Sequence, residues 1–345
     1  MRSRLLPTAA GIAFLVVSCA PPSPPAAGSG TGPAPCSSSV TLDRFSDVLD
    51  KTTFEDTYVG NLSGLAVDPD GRIDALSDRS SLFSLDATTF RPTGVVPLAD
   101  QNGKPLDSEA VAVDGDGTRL ITSEVEPSIR RYTRDGKLVD SLPVPDQLRV
   151  APDGRAEKNL TFEGLTLASG GNTLIASMEG PLSGDAGDLV RFQTWMRSGS
   201  TFRLDRQFGY RVDPHLGVSE IAALDDGRLL VLERGFKPGF GNTIHLYLAD
   251  PRPATDVTEV RNLTRTPDVR LPDKILLADV GHCPALGATA RQPQPNPLLD
   301  NIEGMTVTAR RPDGSLGLLL VSDDNENPNQ ITRLYELTVR LPAIR

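Results

Sequence analysis

The run Leu160-Thr161-Phe162-Glu163-Gly164-Leu165-Thr166-Leu167, followed by Asn172-Thr173-Leu174-Ile175-Ala176-Ser177-Met178-Glu179-Gly180, decides how this chain is read. It sets a carboxylate and a glycine at the head of one apolar strand, and it ends the next strand on a second carboxylate. The pattern recurs. Asn61-Leu62-Ser63-Gly64-Leu65 passes through Asp68-Pro69-Asp70-Gly71 to Leu76-Ser77-Asp78-Arg79. Leu106-Asp107-Ser108-Glu109-Ala110-Val111 passes through Asp114-Gly115-Asp116-Gly117 to Ile121-Thr122-Ser123-Glu124. Val218-Ser219-Glu220-Ile221 leads to Val231-Leu232-Glu233-Arg234, and Asn301-Ile302-Glu303-Gly304-Met305 to Val321-Ser322-Asp323-Asp324.

Each copy reads as strand, Asp/Gly turn, strand, because Asp-Gly supplies the positive φ of a short hairpin loop. Outer strands follow, such as Ser128 to Tyr132, Ile244 to Leu248 and Ile331 to Leu337. A unit of four strands over roughly 45 to 60 residues is the size of a propeller blade. The expectation is an all-β propeller of six blades, with five or seven as alternatives. The sixth is sought as a degenerate blade in the proline-rich stretch from Asp250 to Pro297. Thr41 to Val59 is expected to donate a strand that closes the ring. A pair of β-sandwiches accounts less well for the fixed repeat.

Composition agrees. The 345 residues include 31 glycines and 29 prolines, which favours turns and short elements. A net charge of -10 without a basic cluster excludes a nucleic-acid partner. Residues 1–18 read as a signal peptide: Arg2 and Arg4 precede an apolar run that ends Val16-Val17-Ser18-Cys19. That ending resembles a bacterial lipoprotein box, in which Cys19 would carry lipid. An ordinary secretory signal with a chance cysteine is the alternative. Residues 19–38, rich in Pro, Ala, Gly and Ser, read as a tether, and 39–345 as the folded domain. The protein is then exported, a monomer, and attached to a membrane through its lipid alone. Cys36 and Cys283 remain and are expected to pair in an oxidising compartment.

Equivalent positions of a propeller converge on its axis. Glu109, Glu163, Glu220 and Glu303 are therefore expected to face one channel, joined by Asp78, Glu124, Glu179, Glu233 and Asp323. Clustered carboxylates are unfavourable unless cations or bases offset them. Ca²⁺ or another divalent cation suits such oxygen donors, and Arg79, Arg234 and Lys237 are the candidate bases. The bland alternative is that each glutamate only satisfies backbone groups at a bulge. The Asp-x-Asp-Gly segments lack the closing glutamate of a calcium loop and read as turns. The run Asp323-Asp324-Asn325-Glu326-Asn327 reads either as a metal loop or as a solvated one. No Gly-x-Ser-x-Gly, His-Glu-x-x-His or P-loop motif is present. His245 and Trp195 read as structural.

In this order, Ser-Gly-Leu, Ser-Asp-Arg, Glu-Gly-Leu, Ala-Ser-Met-Glu-Gly, Leu-Glu-Arg-Gly-Phe, Ile-Glu-Gly-Met and Val-Ser-Asp-Asp-Asn resemble the phytase-like family, the "esterase-like activity of phytase" domain. The resemblance runs from about Asn61 to Leu337. Its acidic pattern maps onto Asp78, Arg79, Glu109, Glu124, Glu163, Glu179, Glu220, Glu233, Arg234, Glu303, Asp323 and Asn325. The family name implies phosphoester hydrolysis of a small anionic substrate. A cation held by Asp78, Glu124, Glu179, Glu233, Asp323 and Asn325 would polarise the phosphoryl oxygen and acidify the attacking water. Glu109, Glu163, Glu220 and Glu303 are the catalytic candidates, and Glu163 or Glu220 the base. Arg79, Arg234 and Lys237 would bind the substrate's oxygens. The alternative is a non-enzymatic envelope-binding propeller with structural Ca²⁺.

Overall fold

The computed structural model describes residues 29–168 and 170–342. Cys19 and the expected signal segment lie outside them. Five antiparallel sheets surround one axis. Their innermost strands are Leu62–Val67, Ser108–Val113, Phe162–Leu167, Gly217–Ala223 and Asn301–Arg310. Each packs against the next, and the last against the first, so the ring is closed. We number the blades 1 to 5 in that order.

The all-β propeller expectation holds, but the blade count is five rather than six. The five sequence copies are the five blades. Asp250 to Pro297 holds no further blade: its one strand, Asp273–Asp279, is the outer edge of blade 4. The preceding loop packs Val257 and Leu263 against Leu189 of blade 3. That loop lacks an inner strand pair, so it can only cover an existing blade.

Ring closure follows the expected route. Val40–Ser46 pairs with Leu334–Val339, giving the chain's start a place in its last blade. The expected tether is shorter than 19–38, because Ser29–Pro35 pairs with Val40–Ser46 as the outermost strand of blade 5. An edge strand bonds on one side only, so proline is tolerated there. The Cys36–Cys283 disulfide is formed and ties this edge to the turn that follows blade 4.

Apolar residues of adjacent blades fill the spaces between sheets. Blades 2 and 3 share Ala110, Leu120, Phe162, Leu165 and Trp195, and the Trp195 indole donates to Pro143 O at 2.8 Å. The Asp-x-Asp-Gly segments are turns. Asp68 and Asp70 accept backbone N–H groups of their own loop, and Gly71 sits at φ +86°. Arg119 of blade 2, 1% exposed, pairs with both Asp68 and Asp74 of blade 1.

Candidate functional site

Each inner strand breaks register with its neighbour one turn from its start. Such a bulge re-aims a side chain. The residue two positions before the apolar anchors Leu65, Val111, Leu165, Ile221 and Met305 sits at this break in every blade. Those residues are Ser63, Glu109, Glu163, Ser219 and Glu303. In four blades a small residue comes next (Gly64, Ala110, Gly164 and Gly304), where neighbouring inner strands touch. A Cβ on Gly64 would lie 2.8 Å from Glu109 O, and one on Gly164 would lie 2.8 Å from Ile221 N.

A second tier comes from the ends of the second strands. Asp78, Glu124 and Glu179 donate their backbone N–H to Asn61, Asp107 and Thr161, while Arg234 pairs with Gly217 and Asp323 with Asn301. The two tiers enclose a cavity of 650 Å³ at one mouth of the channel. Eight carboxylates line it: Asp78, Asp107, Glu109, Glu124, Glu163, Glu179, Glu303 and Asp323. Arg79, Arg234 and Asn325 line it too.

Three expected site residues do not reach this cavity. Glu220 occupies the place of Gly164 and Gly304, not that of Glu163. Its Oε1 accepts from Leu165 N and its own Ile221 N, both at 2.9 Å, and it stitches blade 4 to blade 3. Glu233 is one residue out of phase and points to the opposite face of its strand. There it accepts from Tyr210 Oη and Lys274 Nζ, each at 2.7 Å, and from Asp213 N at 2.8 Å. Lys237 is exposed at the end of Leu229–Lys237, outside the cavity. Blade 4 thus presents Arg234 to the cavity where the other blades present mostly carboxylates, and Ser219 is buried outside the lining.

The register slip leaves a trace in the sequence, but only the structure shows which count applies. Counting back from the apolar anchor selects Ser219, whereas matching glutamate to glutamate selects Glu220. Asp107 was also missed, although it holds the place of Asn61 and Asn301 in its blade. Gln292 and Gln330 reach the cavity from loops and carry no sequence signal. Asp323 and Asn325 line the cavity, while the neighbouring Asp324 turns away to Lys51, Tyr58 and Asn61 N.

Crowding sets the electrostatics. Burial first, then Glu109 and Glu179, holds the Glu163 carboxyl well above the usual range. Burial, then Glu303 and Glu124, does the same to Glu109. Burial and Glu179 push Glu124 up to about 7. Burial pushes Asp78 up to about 7 against the opposing pull of Arg79. Burial raises Asp107 as well, opposed by Arg79 and Lys158. Arg234 offsets one side: it donates to Asn301 Oδ1 at 2.8 Å and lies 3.3 Å from both Glu179 and Glu303. Around Glu124 the carboxylates crowd most closely. There Asp107, Glu109 and Glu124 bring carboxylate oxygens within 4.8 Å of one another, and so do Glu124, Glu163 and Glu179. Glu124 belongs to both groups. Ser63 Oγ, on a residue 2% exposed, faces the same cavity with no hydrogen-bond partner among the described residues.

Comparison with known proteins gives four relationships. A curated relative, an uncharacterized secreted protein of Arthroderma benhamiae, is 24% identical over a match covering 39% of this chain. The match spans 35% of that relative's length. A gluconolactonase structure from Xanthomonas campestris superposes with a TM-score of 0.45 at 14% identity, covering 91% of this chain and 87% of its own. A streptogramin B lyase structure gives 0.39 at 10%, covering 81% and 94%. Neither structural likeness bears on chemistry. The family profile "Phytase-like: Esterase-like activity of phytase" matches residues 57–326, and with most of its length inside that match the chain belongs to the phytase-like family.

Proposed function

We propose that the acidic channel mouth is the active site of an exported phosphoester hydrolase that works with divalent cations, Ca²⁺ first among them. The observation that carries this is the pair of carboxylate triads sharing Glu124. Asp107, Glu109 and Glu124 would hold one cation, and Glu124, Glu163 and Glu179 a second. The donor set fits: it is all oxygen, as hard cations require, and the buried Ser63 hydroxyl beside it lacks a partner. When bound, such cations neutralise charge on a phosphoryl group and acidify water.

The chain's own groups do the rest. Arg79 and Arg234 orient the anionic oxygens of the substrate. Glu303 Oε1 is occupied by Asn301 Nδ2 at 2.9 Å and by Arg234, which leaves Oε2 to take the proton of the attacking water. Asp78, with its carboxyl pushed up to about 7, returns a proton to the leaving oxygen. The P–O bond to water forms and the ester P–O bond breaks, while one proton passes from water to Glu303 and one from Asp78 to the leaving oxygen. Neither Glu220 nor Glu233 takes part.

Export is supported by the disulfide, which suits an oxidising compartment, and by a relative named as secreted. Attachment through lipid on Cys19 is part of the proposal. Palmitate labelling that survives Cys19→Ala would remove it.

The activity test measures hydrolysis of p-nitrophenyl phosphate and phytate by purified protein. The assay is run after chelation and again with Ca²⁺, Mg²⁺ or Mn²⁺ restored. Turnover that disappears with chelator and returns with cation is expected. No turnover under any condition, with a melting temperature that still falls on chelation, leaves a binding propeller with structural cations.

A further inference from the structure

The rim above the carboxylates is made of different chemistry. Asn159, Gln292, Asn325, Asn327 and Gln330 line it, and Phe236 with Leu160 supplies its apolar surface. Gln292 Nε2 is buried without a hydrogen-bond partner among the described residues. Phe236 is 53% exposed, on the hairpin that joins Leu229–Lys237 to Gly241–Asp250. A primary amide offers two donors and an acceptor at neutral charge, the complement of a hydroxyl that both donates and accepts. An exposed phenyl face beside such amides offers an apolar platform to the C–H face of a ring.

Charge limits the ligand from the other direction. Each phosphate brings a charge of about -1.5 to -2. Below the rim stand eight carboxylates, against Arg234, already bonded to three neighbours, and the largely exposed Arg79. Two divalent cations and the two arginines bring fewer positive charges than the cavity has carboxylates, so every further phosphate adds to an excess of negative charge. Among the described residues, Arg79 and Arg234 are the bases that line the cavity, too few to hold several phosphates.

We infer that the site takes an ester of a hydroxyl-rich alcohol, a sugar or cyclitol, that carries a single phosphate, and that it disfavours polyphosphorylated ligands. This rests on the hydrolytic reading above. The alcohol lies against Phe236, with its hydroxyls on the amide rim, while its one phosphate enters the acidic floor. A site built to bond hydroxyls discriminates against ligands that leave its polar groups unpaired.

The test compares glucose 1-phosphate, myo-inositol 1-phosphate, p-nitrophenyl phosphate and phytate on the full chain with Ca²⁺. The two hydroxyl-rich monophosphates are expected to exceed the other two in kcat/KM by about tenfold or more. Gln292→Ala and Phe236→Ala should each lower the ratio of kcat/KM for glucose 1-phosphate over p-nitrophenyl phosphate by about tenfold. Phe236 is exposed, so its removal spares the fold, and a melting curve checks this. Preference for phytate, or equal losses on every substrate, overturns the inference. If no substrate is turned over, the hydrolytic reading fails and calorimetry decides the inference separately. Glucose 1-phosphate binding with Ca²⁺ that weakens about tenfold in Gln292→Ala upholds the ligand class. Absence of binding, or tighter binding of phytate, overturns it.

Discussion

The two mouths of the channel are built from the same five strands and have opposite chemistry. At the starts of the strands eight carboxylates surround a 650 Å³ cavity. At their far ends Leu65, Val67, Val111, Val113, Leu167, Ile221, Ala223 and Val307 line a smaller hollow of 200 Å³, with threonines and Arg310 its polar members. The far mouth shows how a five-bladed ring closes when packing alone decides: small and branched apolar residues meet at the axis. The near mouth therefore owes nothing to fold closure. Burial first, and then one another's charge, raises the proton affinity of its glutamates. Residues that oppose folding at one end of a strand whose other end supports it are set apart for binding.

This contrast can be broken most directly at Glu303. Glu303→Gln is expected to lower kcat by about 10²- to 10⁴-fold while the protein still melts as a folded domain, as loss of a general base does. Steady-state kinetics and a thermal melt on one preparation check both halves. Arg234→Ala should then show what the sole interior base of this mouth contributes. Without it Glu179 and Glu303 lose their partner, and the metal-free protein loses about 3–5 kcal/mol in urea unfolding. Added Ca²⁺ should restore part of that loss in the same titration. At the far mouth, Leu165→Ala should cost about 2–5 kcal/mol regardless of cation, since Leu165 is a core residue shared by blades 2 and 3.

The smallest effect is on pH. Glu124 and Asp78 carry carboxyls raised to about 7 in the fold. Between the ordinary carboxylate range and pH 7 the folded chain binds more protons than the unfolded one, so stability falls as pH rises through that window. Metal-free protein should melt a few degrees higher near pH 5 than near pH 8. Saturating Ca²⁺ should flatten or reverse this slope, because cations take the place of those protons. A metal-free melting temperature that instead rises from pH 5 to pH 8 would remove the contrast between the mouths.

Much of this was readable beforehand, for a definable reason. Local chemistry repeats: an Asp/Gly turn between two apolar strands marks a blade wherever it occurs, and five such marks are five blades. The strand that closes the ring and the Cys36–Cys283 pair were legible too. So were Asp78, Glu109, Glu124, Glu163, Glu179, Glu303 and Asp323, since equivalent positions of a ring converge.

The tertiary structure alone decided the rest. Strand side chains alternate with a period of two, so a slip of one residue at a bulge sends a side chain to the other face. That slip moved Glu220 into a contact between blades, turned Glu233 toward Lys274, and brought Arg234 to the cavity. The sixth blade dissolved because Asp250 to Pro297 has turns and apolar residues but no inner strand pair to reach the axis. The amide rim, Gln292 and Gln330 above all, belongs to loops whose place depends on the blades beneath them. A repeat states where its own strands go; a loop is placed only by what it packs against.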